Sequence, residues 1–207
     1  MTSIRNASLA IGAVLFAGVV GLGAYTGLGG KMPGARDCPG GITGASIGGP
    51  FELTGQTGAR VGSETLKGAP SLVYFGFATC PDVCPMELAE VASAVDILAD
   101  EHDMTVQPVF ITVDPERDTV EKVGEYASFF HDSMIGMTGT PEEISKTAKA
   151  FRVYYNRVSD PEFADGYTMD HSNIIYLLNE ASEYTTYFKG SEATPESIAE
   201  GVACHLG

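Results

Sequence analysis

The chain has 207 residues, 44% of them apolar, which suffices for one domain of ordinary size with a packed core and one further short segment. Against 27 acidic residues stand 12 basic ones, a formal net charge of −15, and so acidic a chain excludes nucleic acid as its natural partner. A field of this sign favours cations and basic protein surfaces, although its commonest use is solubility.

From Asn6 to Gly30 run 25 residues without a charge, rich in Ala, Val, Leu and Gly, preceded by Arg5 and followed by Lys31 and Arg36. A bilayer core needs about 20 apolar residues, so 6–30 reads as a single transmembrane helix behind a cytoplasmic N-terminus, 1–5. A cleaved signal peptide is the rival reading, with Gly21 and Gly23 as small residues near a cleavage site, but the run exceeds the usual signal core of about 7–15 residues. A buried soluble helix fits poorly, because the seven glycines from Gly12 to Gly30 disfavour it and are tolerated in membrane spans. Residues 31–49, rich in Gly and Pro, read as a linker into a folded domain over 50–207.

Within the domain, Phe51-Glu52-Leu53 and Gly58-Ala59-Arg60-Val61 flank a polar turn and predict a small hairpin. Ser71 to Phe77 is apolar and of strand length. It leads into Cys80-Pro81-Asp82-Val83-Cys84-Pro85, after which Leu88, Val91, Ala92, Val95 and Leu98 keep the helical period and predict a helix from Pro85 to Asp100. Gln107 to Val113 is the next buried strand, and helices follow over Thr119 to Phe130 and Thr140 to Phe151. Ser172 to Leu178 and Tyr184 to Phe188 form a hairpin, and Thr194-Pro195-Glu196-Ser197 opens a last helix with Ile198 and Val202 inward. This order describes an α/β domain of thioredoxin-like fold with an N-terminal hairpin.

Two thiols four positions apart at a strand-to-helix junction either hold a soft metal or exchange a disulfide. Pro85 disfavours helical dihedrals at Cys84 and suits the first helical position, so Cys84 is expected at the N-cap, with its thiolate stabilised by the positive helix end. The three-residue gap differs from the two-residue gap of ordinary thioredoxin redox motifs. Two thiolates suit Cu(I) or zinc, and one imidazole would complete a Cys₂His set. His171, immediately before the apolar strand, is the best placed; taken alone, such a histidine is more often structural than a ligand. His102 and His131 sit beside acidic residues at helix ends, and His205 is two residues from the C-terminus.

Three stretches then occur in order: Phe75-Gly76-Phe77-Ala78-Thr79-Cys80-Pro81-Asp82-Val83-Cys84-Pro85, Thr112-Val113-Asp114-Pro115-Glu116-Arg117-Asp118-Thr119, and Asp170-His171-Ser172 before an apolar strand. Together they closely resemble the SCO/SenC family of copper chaperones, over about Phe51 to Leu206. The resemblance implies a membrane-anchored thioredoxin-fold protein that binds Cu(I) or Cu(II) through Cys80, Cys84 and His171. It also implies assistance in assembling the binuclear copper centre in subunit II of cytochrome c oxidase, with a periplasmic copper donor or a thioredoxin-like reductant as further partners. Ala78-Thr79 departs from the polar pair often found there, and Cys38 and Cys204 lie outside the shared pattern. Asp114, Pro115 and Asp118 read as turn-forming and helix-capping residues, with partner docking as the alternative.

Cys38 and Cys204 flank the domain, and in an oxidising compartment we expect them to form a structural disulfide, two separate thiols being the alternative. A second metal site at Cys204 and His205 has little in its favour. Met134, Met137 and Met169 are potential thioether ligands whose ordinary role is packing. The competing function is thiol–disulfide exchange by Cys80 and Cys84, reducing the partner's copper-binding cysteines. A thioredoxin-superfamily peroxidase is the weaker third reading, because so close a second cysteine suggests chelation. The short segment before the span, with no Arg- and Ser-rich presequence, points to a bacterial inner membrane with the domain in the periplasm.

Overall fold

The computed structural model describes residues 38–207. The expected N-terminus 1–5, the transmembrane helix 6–30 and the first part of the linker lie outside the described residues. Among the described residues no helix is long and apolar enough to cross a membrane.

Among the described residues, nine strands and four α-helices follow one another as β1 (Glu52–Gly55), β2 (Arg60–Gly62), β3 (Ser71–Gly76), α1 (Val83–His102), β4 (Gln107–Thr112), α2 (Val120–Phe130), β5 (Ile135–Thr138), α3 (Pro141–Ala150), β6 (Tyr155–Ser159), β7 (Tyr167–His171), β8 (Ile174–Leu178), β9 (Tyr184–Lys189) and α4 (Pro195–Leu206). Seven of the strands form one sheet in the order β2-β1-β5-β4-β3-β8-β9. β3, β4 and β5 run parallel through helical crossovers, whereas β8 joins β3 antiparallel and pairs with β9 as a hairpin. The expected thioredoxin-like succession is present, with the N-terminal hairpin β1–β2 at one sheet edge.

β3 is buried at all six residues because the sheet continues on both sides of it, which explains its unbroken apolar sequence. Phe75 packs edge-on against Tyr176 and tilted against Phe151, in a core that also holds Leu72, Phe110 and Ile111. Thr140 caps α3 through a capping box with Glu143, and Thr194 caps α4 in the same manner with Ser197. The described part of the linker, 38–49, has no helix or strand. Gly41 N–H donates to Tyr187 O (2.7 Å), Gly48 N–H donates to Ala150 O (2.8 Å), and Cys38 is disulfide-bonded to Cys204, as expected, with Cα atoms 5.6 Å apart.

Two features depart from the expectations. α1 begins at Val83 with Asp82 as N-cap, so Cys84 lies inside the first turn. Pro85 tolerates this because first-turn N–H groups have no helical partner, and the missing one costs no hydrogen bond. β5 and the separate hairpin β6–β7 were not expected: β5 has four residues and includes Gly136, and β6 is exposed at four of its five residues, so neither carries a hydrophobic period. Gly136 is required where it is, since a Cβ there would run into the Val123 carbonyl of α2.

Candidate metal centre

Cys80 lies in the loop between β3 and α1, Cys84 in the first turn of α1, and His171 at the last position of β7. The fold brings their ligand atoms within 4.8 Å of one another, the one such group among the described residues. Cys84 is fully buried and Cys80 partly exposed; both are free thiols. Cys84 Sγ stands 3.3 Å from His171 Nε2, and Cys84 N–H donates to Cys80 Sγ at 3.4 Å. The start of α1 therefore faces the exposed sulfur, where its dipole favours negative charge.

The imidazole is oriented by its other nitrogen. Nδ1 is 3.1 Å from Ser172 O, and because a carbonyl only accepts, Nδ1 carries the proton and leaves the Nε2 lone pair facing the sulfurs. Tyr74 and Phe77 meet the ring edge-on at centroid distances of 6.2 and 5.8 Å. Gly76 makes room for Cys84: a Cβ on it would lie 2.9 Å from the sulfur.

The two thiols differ in acidity. A hydrogen bond from Cys84 pushes Cys80 down to about 4, helped by the backbone N–H groups of Asp82 and Cys84 and opposed by burial. Cys84 is pushed up, first by sharing that hydrogen bond with the Cys80 thiolate and then by burial. This corrects the expectation of a Cys84 thiolate at an N-cap: the ionised sulfur is Cys80, and Cys84 holds the proton. The Tyr74 phenol, chiefly through burial, is also raised and stays neutral.

The second motif holds the site from behind. Asp118, fully buried, accepts from Ala78 N–H (2.8 Å) and from the Thr112 hydroxyl (2.6 Å), and its other oxygen pairs with Lys122 Nζ at 3.3 Å. It thus ties the cysteine loop to the end of β4, while Thr119, not Asp118, caps α2. Asp114, also buried, accepts from the Tyr167 hydroxyl at 3.1 Å and from Arg117 Nε at 2.5 Å. Asn173 accepts from Tyr74 Oη (3.3 Å) and donates to Glu87 Oε1 (2.9 Å), joining the connection between β7 and β8 to β3 and α1. Apart from the i,i+3 pair Asp114–Arg117 and the i,i+4 pair Asp118–Lys122, these pairings depend on which loops the sheet brings together.

The remaining candidates fall elsewhere. Met134 and Met137 are core residues. Met169, half-buried, lines a cleft of about 360 Å³ that opens onto Cys80 and His171 between Asp82, Asp160 and Asp170. His131 bonds Asp96 and Ser133, His102 is exposed at the end of α1, and His205 lies 3.2 Å from Pro39 O. The disulfide consumes Cys204 and removes the second metal site as an option. Two sulfurs and an imidazole nitrogen, one sulfur already ionised, fit a soft, low-coordinate cation.

The SCO1/SenC family model matches residues 40–207. Protein SenC of Rhodobacter capsulatus is 43% identical over 169 residues, which are 80% of this chain and 73% of that protein. The mitochondrial SCO1 homolog 1 of Arabidopsis thaliana is 42% identical over 158 residues, 76% of this chain and 46% of the relative, so the chain spans about half that relative's length. The crystal structure of Arabidopsis thaliana ScoI with copper bound superposes with a TM-score of 0.73 at 41% identity, covering 76% of this chain and 96% of that one.

Proposed function

The chain belongs to the SCO1/SenC family, and from that membership we propose that it is a copper metallochaperone that binds copper through Cys80, Cys84 and His171 and delivers it to the binuclear copper centre of cytochrome c oxidase subunit II. The observation that carries the reading is the convergence of two sulfurs and one correctly tautomerised imidazole within 4.8 Å. A copper-bound relative at 41% identity supports it. Copper is cargo here, taken as Cu(I) or Cu(II). Partly exposed Cys80 is the entry ligand, buried Cys84 and His171 complete the set, and a partner's ligands displace them through the same cleft. Segment 6–30 anchors the protein in a bacterial inner membrane with the domain in the periplasm, where a periplasmic donor supplies the metal.

The second reading, thiol–disulfide exchange, is favoured by the depressed pKa of Cys80. Its thiolate attacks a partner disulfide and expels one partner thiolate. Cys84 then loses its proton, attacks Cys80 Sγ and expels the second. The partner gains two electrons, and the resulting Cys80–Cys84 disulfide requires a thioredoxin-like reductant to restore it.

Mixing the copper-loaded, reduced protein with apo subunit II tests the assignment. Assembly of the binuclear centre, followed by its visible spectrum, is expected with the wild type and lost with His171→Ala. Full assembly by His171→Ala rejects the three-ligand chaperone.

A further inference from the structure

Arg117 sits just beyond β4 and is no ligand, yet its guanidinium is buried where three segments of the site meet. Its side chain is 9% exposed. Nε donates to Asp114, and Nη1 donates to the Tyr167 carbonyl at 3.0 Å. The guanidinium carbon lies 3.8 Å from the Tyr167 ring centroid and 5.8 Å from that of Phe77. Arg157 stacks 3.5 Å from the same Tyr167 ring, and two cations so close to one centroid occupy opposite faces of it.

This matters because of what carries His171. β6 and β7 form a two-stranded sheet of their own, unbonded to the seven-stranded sheet, so the ladder of the main sheet registers the chain only from Ile174 onward. Alternate residues of a strand share a face, which puts Tyr167, Met169 and His171 together. Arg117 holds Tyr167, four residues ahead of the imidazole, and also touches Phe77, whose ring meets that imidazole edge-on. One buried cation therefore contacts the strand bearing His171, the approach to Cys80 and the Asp114 loop.

We infer that Arg117 is a positioning residue for His171: by clamping Tyr167 against Asp114 and Phe77 it sets where the imidazole stands relative to Cys80 and Cys84. The consequence for copper rests on the metallochaperone reading; the geometry belongs to the metal-free protein. Lysine cannot replace it, because a point charge does not bond Asp114 and the Tyr167 carbonyl from one plane while stacking on a ring. Groups that orient a metal ligand are worth between about 10- and 100-fold in affinity.

The test compares wild type, Arg117→Lys and Tyr167→Phe in the full-length reduced protein. In the metal-free state, ¹⁵N imidazole spectra are expected to show one fixed His171 tautomer in the wild type and an averaged ring in Arg117→Lys. Tyr167→Phe, which removes only the hydroxyl bond to Asp114, shifts the ring signal in the same direction by less and decides the matter if Arg117→Lys fails to fold. On titration with copper, Arg117→Lys is expected to weaken binding by about 10- to 100-fold, whereas Arg117→Lys combined with His171→Ala binds as His171→Ala alone. An unchanged His171 ring signal in both variants overturns the inference, as does an Arg117→Lys penalty that persists undiminished in the His171→Ala background. Wild-type protein that binds no copper refutes the metallochaperone reading, and the ring spectra still decide the role of Arg117.

Discussion

Cys84 Sγ lies 3.3 Å from His171 Nε2 across a sequence separation of 87 positions. In the metal-free protein Cys84 keeps its proton and shares it between the Cys80 thiolate and the imidazole lone pair, because Ser172 O already takes the proton of Nδ1. A metal ion that accepts both atoms replaces that proton.

Copper binding is therefore expected to release about one proton per ion near neutral pH, since the Cys80 thiolate is already formed and only Cys84 must ionise. The sign follows from the raised pKa of Cys84: apparent affinity rises with pH, about tenfold per unit, and falls more steeply once pH drops through about 4 and Cys80 protonates as well. Titration in weak buffer with a pH indicator checks this, and release of two protons at pH 7 contradicts the assigned protonation states.

Alkylation should distinguish the two thiols. Cys80, ionised above about 4 and partly exposed, is expected to react with iodoacetamide at a rate nearly constant from pH 6 to 8, roughly the range in which a free thiol near pKa ~8.5 speeds up steeply. Buried Cys84 remains unmodified. Mass spectrometry of brief alkylation across that range measures both, and preferential labelling of Cys84 refutes the assignment.

Gly76→Ala is predicted to damage the site from within. Its Cβ would lie 2.9 Å from both Cys84 Sγ and Tyr74 Cε1, in a strand with no room to yield. A cost of about 1–3 kcal/mol in urea unfolding is expected from this overpacking, with weakened copper binding. Wild-type stability and affinity in the variant would show that the sulfur does not depend on that space.

The disulfide is expected to serve stability and not the metal. Cys38 and Cys204 lie 166 positions apart in the sequence, so replacing both with Ser should lower unfolding stability by about 2–5 kcal/mol. Copper affinity, set by Cys80, Cys84 and His171, should stay at the wild-type level. Urea unfolding and copper titration of the double variant separate the two effects, and non-reducing peptide mapping that finds both cysteines free in the wild type rejects the bond.

The parts of this molecule that were legible in advance are those in which one residue pattern fixes one structure. The unbroken apolar run of β3, the helical period of Leu88, Val91, Val95 and Leu98, and the Thr-Pro starts of α3 and α4 all did so. The two thiols announced soft-metal or redox chemistry by type and spacing, His171 was the best-placed imidazole, and the resemblance made it an implied ligand. What stayed hidden depends on tertiary contact. Pro85 pointed to an N-cap at Cys84, but Asp82 takes that place and the acidities of the two sulfurs are reversed from expectation. Asp114, Pro115 and Asp118 looked like turn and capping chemistry, whereas the two aspartates are buried and bond Tyr167, Ala78 and Thr112 from other segments of the fold. The hairpin β6–β7 has too little buried apolar surface to write a period into its sequence, although it carries His171 to the two sulfurs.

Direct titration of the fully reduced protein with copper, read by visible and electron paramagnetic resonance spectra, tests the central claim. The account predicts one copper per chain, with thiolate-to-copper charge-transfer bands that disappear in Cys80→Ser and Cys84→Ser and change coordination signature in His171→Ala. Absence of binding by the wild type, or a spectrum and affinity unaltered by His171→Ala, would contradict it.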